Sequence, residues 1–207
     1  MGNNMIVLSG LLFFACPKQP EQAPVAVETV VAVAEDVNPA VPAEAEKDFL
    51  VEGTAFYMHP STKVGFVGSK VTKSHTGEFK TMSGTASVSG GYLDFLEVEI
   101  DMTSVETDHP KLTEHLKTAD FFDVSQFAVA KFVADDIGAG LITGTLDFHG
   151  IQQELSFPAD ISIHENSVTI KAEFSLNRQL WEVSYPGRQD DLIKDEVLVS
   201  VDAKFGE

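Results

Sequence analysis

From Phe49 onward, apolar and polar residues alternate along the chain with a period of two, which is typical of half-buried β-strands. The clearest run is Leu93–Thr103, where every second residue from position 96 is apolar and the residues between are acidic or Thr. Leu93 and Phe95 fall on the opposite face from that apolar series. This misfit predicts either a β-bulge near Leu96 or an outward-facing apolar pair.

The same alternation recurs in segments separated by short turns, such as those at Gly90-Gly91 and His149-Gly150. About eight strands, each with one apolar face, predict an all-β antiparallel fold that is either a sandwich or a closed barrel. Strict alternation in long consecutive strands favours an eight-stranded up-and-down barrel, because closure leaves no exposed edge. The predicted strands include Val64–Val71, Gly77–Val88, Leu93–Thr103, Ile142–Phe148, Ile151–Ile163, Val168–Leu176 and Val197–Phe205.

The stretch Ser104–Phe132 breaks this alternation. Pro110 suits a first helical turn, and the apolar spacing that follows predicts a short helix over Pro110–Thr118. The paired Phe121 and Phe122 come next. We expect the helix to cross between strands at one end of the barrel, with the aromatic residues forming a lid over a cavity; a plug is the alternative.

An eight-stranded barrel is either filled by its own side chains or holds one small ligand. Here the inward positions are mainly Val, Ile, Leu and Phe, so a cavity would be apolar, and the same residues could instead pack as a solid core. The candidates for cavity lining or lid are Val98, Ile100, Met102, Phe121, Phe122, Phe127, Leu146, Phe148, Leu155, Phe157, Ile170, Phe174, Leu176 and Val199.

The chain carries a formal charge of −18 over 207 residues. Residues 1–47 contain two Lys and six Asp or Glu, so −14 of that charge belongs to the rest. This charge argues against nucleic acid as a partner, because neutralising phosphates requires a Lys/Arg surface, and it also argues against adsorption to an anionic membrane surface. An acidic, well-solvated surface is the simplest interpretation.

The first 47 residues differ in composition from the remainder. The apolar run Met5–Ala15 is too short to span a bilayer but fits the core of a signal peptide, and Cys16 follows it directly. This arrangement is similar to a bacterial lipoprotein processing site, which predicts cleavage and lipidation at Cys16; an ordinary cleaved signal peptide is the alternative. Residues 17–47 are rich in Pro, Ala, Val and Glu, which predicts a disordered tether. The folded domain would cover residues 48–207.

Several segments together resemble the YceI family of bacterial lipid-binding proteins, with matching order and spacing over residues 49–207. The resemblance implies a lipocalin-like antiparallel barrel, secreted or periplasmic, with an elongated cavity for a long isoprenoid lipid such as a quinone or polyprenyl lipid. With the predicted anchor, it implies the periplasmic side of the bacterial cell envelope. The segments are Gly77-Glu78-Phe79, Ile100–Asp108, Glu114–Asp123, Gly144–Ile151, Phe174–Arg178, Trp181, Tyr185-Pro186-Gly187 and Asp190–Ile193.

The loop Asn177–Lys194 concentrates cationic and aromatic residues in an otherwise acidic domain. Such a group suits a quinone ring or phosphate head group, through stacking or charge-assisted hydrogen bonds. The simpler interpretation is that the aromatic side chains plug one barrel end while Arg178 pairs with an acid such as Asp195. The head-group candidates are His115, Arg178, Trp181 and Tyr185.

The sequence offers little for metal binding or catalysis. His109 and His115 are six residues apart, which is not the i, i+4 spacing of a helical zinc pair. The chain contains no G-x-S-x-G motif, and its single cysteine precedes the predicted domain. We therefore expect no metal and no cofactor beyond a bound lipid or quinone, and a non-enzymatic carrier.

Two alternatives remain from the sequence. One is a filled barrel that acts on another protein through its acidic surface. The other is an enzyme acting on a bound isoprenoid lipid through Asp120, His115 and Arg178. The sequence leaves the oligomeric state open, a homodimer included.

Overall fold

The structure is a computed structural model that describes residues 53–189 and 191–207. The predicted signal peptide at residues 1–16, its Cys16 and the predicted tether at residues 17–47 lie outside the described residues. The strands are β1 (Thr54–Tyr57), β2 (Lys63–Ser69), β3 (Ser74–Phe79), β4 (Met82–Ser89), β5 (Tyr92–Asp101), β6 (Val105–Thr107), β7 (Val129–Gly138), β8 (Leu141–Phe148), β9 (Ile151–His164), β10 (Ser167–Asn177), β11 (Gly187–Arg188), β12 (Asp191–Leu192) and β13 (Glu196–Gly206).

Eleven of these strands form one antiparallel sheet in the order β1-β4-β5-β7-β8-β9-β10-β13-β2-β3-β6. The ends of the order meet, because β3 leads into β4 and β5 leads through a 3-10 turn at Met102–Ser104 into β6. β3 and β4 thus form one bent strand, and β5 and β6 form another. Because β3 pairs with β6 and β4 pairs with β5, the two bent strands lie side by side. At the other end of β1, Met58 bridges to Phe205 of β13. The sheet thus curls round into a barrel.

The predicted all-β antiparallel class is confirmed, although the structure has more strand segments than the eight predicted. Bends cause part of the difference, and the short strands β11 and β12, which form a separate sheet, cause another part. The run Gly77–Val88 is divided at residues 80–81, and the run Leu93–Thr103 ends at Asp101, whose carboxylate accepts a 2.9 Å bond from the main-chain N–H of Thr103.

The misfit at the start of β5 is a bulge. Ser87 pairs with Phe95 and Val88 pairs with Leu93, so Asp94 is the extra residue. The insertion returns Leu93 to the inside, where it is 5% exposed. A bulge lets one strand change which side chains face inward without breaking the sheet.

The core of the barrel lies towards the end where β8 begins and β13 finishes. Ile142 and Phe205 are fully buried there, packed with Phe56, Leu96 and Val168. A second buried cluster lies towards the opposite end, around Val105, Leu116, Phe121 and Val183.

One α-helix, α1 (Pro110–Leu116), follows β6, as the sequence predicted, and is two residues shorter than expected. Pro110 occupies its first turn, where the missing N–H costs nothing. Leu116 is its buried residue. Within the described residues, no helix has the length and apolar character needed to cross a membrane.

Candidate functional site

The barrel encloses a cavity of about 250 Å³. Its lining in the described part of the chain is apolar apart from one residue, Arg178. The lining residues are Met58, Val64, Gly65, Phe66, Gly68, Phe79, Leu96, Val98, Ile100, Met102, Leu116, Phe121, Phe122, Ala130, Phe132, Leu146, Phe148, Leu155, Phe157, Ile170, Phe174, Leu176, Arg178, Val183, Ile193, Val197, Val199, Val201 and Ala203.

Strand alternation places these side chains on the wall. In β13, positions 197, 199, 201 and 203 line the cavity, whereas Leu198 and Ser200 between them are exposed. The neighbouring strand β10 is paired with β13, and its Phe174 lies opposite Val199. Phe157 of β9 stacks on Phe174 with ring centroids 4.5 Å apart. Because successive side chains of a strand point to opposite faces, one period-two pattern builds the wall and the solvated exterior together.

The structure places thirteen of the fourteen predicted lining residues on this wall; the exception is Phe127. Phe127 packs instead against His149, with ring centroids 4.6 Å apart, and its ring fills the space above Gly150. Phe127, which the sequence offered as a lining or lid residue, is therefore not among the residues that line this cavity. Its ring packs against the β8–β9 turn, where both His149 and Gly150 have positive φ.

The segment after α1 brings two aromatic rings to the cavity. Phe121 is 6% exposed and packs against Leu116 and Val183. Phe122 is half-buried, with its ring 5.7 Å from that of Phe148 and 6.4 Å from that of Phe79. Both residues line the cavity. Phe121 is thus part of the core as well as of the wall, whereas Phe122 is less buried.

His115 and Tyr185 lie behind Phe121 and are not part of the wall. The His115 ring meets both Phe121 and Tyr185 edge-on, at centroid distances of 5.0 Å and 5.1 Å. The His115 Nε2–H donates to the Asp120 carboxylate at 2.8 Å. These two head-group candidates therefore support the aromatic residue that faces the cavity.

Arg178 is the charged residue on the wall and is 5% exposed. Its Nε donates to the Lys194 carbonyl at 3.1 Å, Nη2 donates to the Ile193 carbonyl at 3.4 Å, and Nη1 donates to the Val183 carbonyl. Nη2 also lies 3.3 Å from a carboxylate oxygen of Asp195.

Burial lowers the pKa of the Arg178 guanidinium and the neighbouring Asp195 acts in the opposite direction, but an arginine remains charged at any physiological pH. The guanidinium is thus committed to main-chain carbonyls and to Asp195, the pairing that the sequence had suggested. Its chief effect here is to hold together the loop that closes this end.

Trp181 is 1% exposed and does not line the cavity. Its indole N–H donates to the Leu146 carbonyl at 3.1 Å, and its own carbonyl accepts a 3.0 Å bond from His149 Nδ1–H. The indole packs against Phe148, a wall residue, with ring centroids 6.3 Å apart. Trp181 therefore plugs the gap beside the cavity.

β2 also contributes to the wall, although none of its residues was among the predicted lining positions. Val64, Phe66 and Gly68 alternate along it and all face the cavity. The strand itself was predicted, and its period-two alternation is the sequence signal that identifies these inner positions. The lining role of Val183 and Ile193 carried no such signal, because both come from an irregular loop.

The described residues contain no group of three or more His, Cys, Asp or Glu side chains arranged to hold a metal ion. Of the three residues in the enzyme hypothesis, His115 and Asp120 are hydrogen-bonded to each other, whereas Arg178 is engaged by carbonyls and Asp195. The wall thus offers bulk apolar contact rather than an arrangement of reactive groups.

The model of the YceI-like domain matches residues 58–205. This match spans the barrel from Met58 at the end of β1 almost to the end of β13. The chain belongs to the YceI family. A UPF0312 protein of Pseudomonas fluorescens (strain SBW25) is 31% identical over 90 residues, or 40% of this chain. The chain spans about half of that relative's length, 47%.

Two solved structures share the fold. Burkholderia cenocepacia BcnA aligns with a TM-score of 0.62 at 18% identity, covering 69% of this chain and 95% of that one. A polyisoprenoid binding domain from Saccharophagus degradans, implicated in plant cell wall breakdown, also aligns with a TM-score of 0.62, at 16% identity, covering 75% of this chain and 99% of that one. At this identity the likeness concerns the YceI fold itself.

Proposed function

We propose that this YceI-family protein binds a long-chain isoprenoid lipid, of the quinone or polyprenyl type, in the barrel cavity and carries or sequesters it without chemical change. The observation that carries the proposal is the apolar cavity of about 250 Å³. The Saccharophagus degradans domain with the same fold is described as polyisoprenoid binding, which agrees with an apolar ligand of this class.

The free-energy cost of an empty cavity supports a ligand. An empty apolar cavity costs free energy, because its wall lacks the apolar contacts that a filled core would have. A buried methylene contributes about 0.8 kcal/mol, so a bound isoprenoid tail would recover a large part of this cost.

The size of the cavity limits how much of a ligand it takes. Ligand sites usually measure about 300–1,000 Å³, and a cavity of about 150 Å³ holds benzene. A volume of about 250 Å³ therefore suits part of an isoprenoid tail. A longer tail would need a half-buried wall aromatic such as Phe122 to move.

The proposal that the protein is not an enzyme rests on the composition of the wall. Apart from Arg178, the lining side chains in the described residues have no group that could act as a nucleophile or exchange a proton. Catalysis on a buried lipid requires such a group within hydrogen-bonding reach of the reacting atom. A filled barrel acting only through its acidic surface has less support, because apolar side chains surround a cavity of about 250 Å³ inside the barrel.

Extraction and mass spectrometry of the full-length protein purified from a bacterial membrane fraction test the binding proposal. We expect a co-purifying quinone or polyprenyl lipid, and uptake of the same class by stripped protein. Repeatedly empty protein that takes up neither class would refute it. Incubation with isoprenoid esters and pyrophosphates, with the products analysed by chromatography, tests the absence of turnover; conversion of either would refute that part.

We also propose that the protein works in the bacterial cell envelope, on the periplasmic side, anchored through Cys16. The support is the apolar run Met5–Ala15 directly before the cysteine. Mass spectrometry of the N-terminus should find a lipid-modified Cys16 as the first residue, and a Cys16→Ala variant should lose that mass. An unmodified, uncleaved N-terminus would contradict the proposal.

A further inference from the structure

Two loops meet at the end of the barrel that carries the second buried cluster. The β2–β3 connection turns at Lys70–Lys73, where the Lys70 N–H donates to the Lys73 carbonyl at 2.8 Å. The segment that follows β12 runs antiparallel to it, with Lys70 bridging to Ile193. Ile193 and Gly68, next to these loops, line the cavity. The two loops therefore form part of the cavity rim.

Val71 and Leu192 form an exposed apolar pair on this rim. They are 71% and 50% exposed, and the Val71 N–H donates to the Leu192 carbonyl at 3.2 Å. Single exposed apolar residues are common, but two paired on adjacent segments beside an apolar cavity form a contact surface. A third exposed residue, Leu180 at 52%, lies at the same end, just after β10.

Asp191 holds the pair in place. One of its carboxylate oxygens accepts from the Thr72 N–H at 3.1 Å and from the Thr72 hydroxyl at 2.9 Å, while the other is paired with Lys70. These bonds fix the tip of the β2–β3 loop against the segment that carries Leu192. The apolar pair is thus presented on a braced loop rather than on a free one.

Two lysines flank the apolar pair. Lys73 and Lys194 are both exposed, and neither forms an ion pair with a residue that the structure describes. Of the acids near this loop, Asp191 is paired with Lys70, and Asp108 accepts a 2.8 Å hydrogen bond from His75. Exposed apolar side chains bordered by lysines suit the interface of a membrane that contains anionic lipids.

We propose that this rim patch, Val71 and Leu192 with Lys73 and Lys194, docks the barrel onto a lipid bilayer so that a lipid can pass between membrane and cavity. This inference rests on the proposed function, since it assumes that the ligand is a membrane lipid. The net charge of the chain opposes adsorption, but at about 0.1 M salt charges more than about 10 Å apart are largely screened. The apolar side chains and lysines of the rim patch then determine whether this end of the barrel contacts the bilayer.

A fluorescence measurement tests the docking directly. Cys16 is the only cysteine, so Val71→Cys in a full-length Cys16→Ala chain can carry one environment-sensitive label. With vesicles of phosphatidylethanolamine and phosphatidylglycerol, we expect a blue shift and quenching by spin-labelled lipid. The matched control is Leu141→Cys, 46% exposed in the hairpin at the other end of β8. No change at position 71, or equal changes at both positions, would overturn the proposal.

A second variant separates docking from ligand capacity. Val71→Asp with Leu192→Asp should slow lipid transfer from vesicles about tenfold or more, while uptake from detergent solution stays unchanged; Leu141→Asp should alter neither. Unchanged transfer in the rim variant would overturn the docking proposal and leave the lipid-binding proposal standing. If neither the parent nor any variant took up lipid, but the label at position 71 still showed the fluorescence change with vesicles, the lipid-binding proposal would be refuted and the docking proposal would stand.

Discussion

The His115 imidazole donates a 2.8 Å hydrogen bond to the carboxylate of Asp120, across the turn that carries Phe121 and Phe122 to the cavity. The same ring supports Phe121 edge-on, at a centroid distance of 5.0 Å. The two phenylalanines are therefore not equivalent. One is fixed from behind, while the other depends on looser contacts with neighbouring wall residues.

Phe121→Ala and Phe122→Ala should have different effects. Phe121 is buried in a packed cluster, so its truncation should cost about 3 kcal/mol or more of the free energy of unfolding. Phe122 is half-buried, so its truncation should cost less but speed the release of a bound lipid. Urea unfolding and the retention time of a loaded lipid measure the two effects.

Phe127→Ala is the matched control, because Phe127 lies in the same segment but contacts His149 instead of the cavity. It should leave lipid release unchanged. If Phe122→Ala lowered the free energy of unfolding as much as Phe121→Ala and left lipid release unaltered, Phe122 would belong to the core rather than to a lid.

Arg178→Met should destabilise the fold by about 3 kcal/mol, because three main-chain carbonyls would lose a charged donor. Arg178→Lys should recover only part of this loss, since an ammonium cannot reproduce the planar fork of a guanidinium. Asp195→Asn should cost much less, because Asp195 is exposed and the carbonyls still hold the arginine. Denaturant midpoints compare the three variants; a harmless Arg178→Met would contradict this role.

The hydrogen bond from Lys70 and those from Thr72 lower the pKa of Asp191. A carboxylate with a lowered pKa in the folded state stabilises the fold above its ordinary pKa of about 3.9. That stabilisation is lost as the pH falls through the folded-state value. Asp191→Asn should therefore lower the denaturant midpoint at neutral pH, and the difference from the parent should shrink under acidic conditions.

Glu165→Gln is the control for this titration, since Glu165 is an exposed residue in the β9–β10 turn at the other end of the barrel. At neutral pH its midpoint should stay close to that of the parent. A difference for Asp191→Asn that persists unchanged into acid would mean that the effect is not electrostatic.

Trp181 is the only tryptophan in the chain and packs against the wall residue Phe148. A quinone bound with its ring at this end should therefore quench the tryptophan emission, whereas a polyprenol of similar length should not. Titration of stripped protein with each lipid measures the difference. Quinone uptake without quenching would place the ring elsewhere in the cavity.

The barrel was largely predictable because its information is local. Period-two alternation in β10 and β13 specifies which face is buried, and the structure pairs Phe174 with Val199 across the ladder. The bulge that the misfit of Leu93 indicated is centred on Asp94. The bends that divide the strands at residues 80–81 and 102–104 were not predicted, because they depend on how distant strands close the sheet.

The end of the barrel was less predictable, because its side chains are placed by contacts between loops. The sequence indicated Phe121, Phe122 and Phe127 equally, yet the β8–β9 turn takes Phe127 away from the cavity. Arg178 and Asp195 were expected to pair, and they do, but the three carbonyl acceptors of Arg178 come from backbone that alternation does not describe. Periodicity carries no signal for such positions.

Native mass spectrometry of a Gly68→Leu variant tests the central claim most directly. Gly68 lines the cavity, and an added Cβ would meet nothing within 4 Å, so a leucine there has room to fill the space that a lipid would occupy. Gly138→Leu is the matched control, because Gly138 has the same freedom at the end of β7 but does not line the cavity.

We expect the parent and Gly138→Leu to carry one lipid, and Gly68→Leu to be empty with equal or greater stability. Full lipid occupancy in a folded Gly68→Leu protein, or an empty parent after exposure to quinones and polyprenols, would contradict the claim that the cavity is the lipid site.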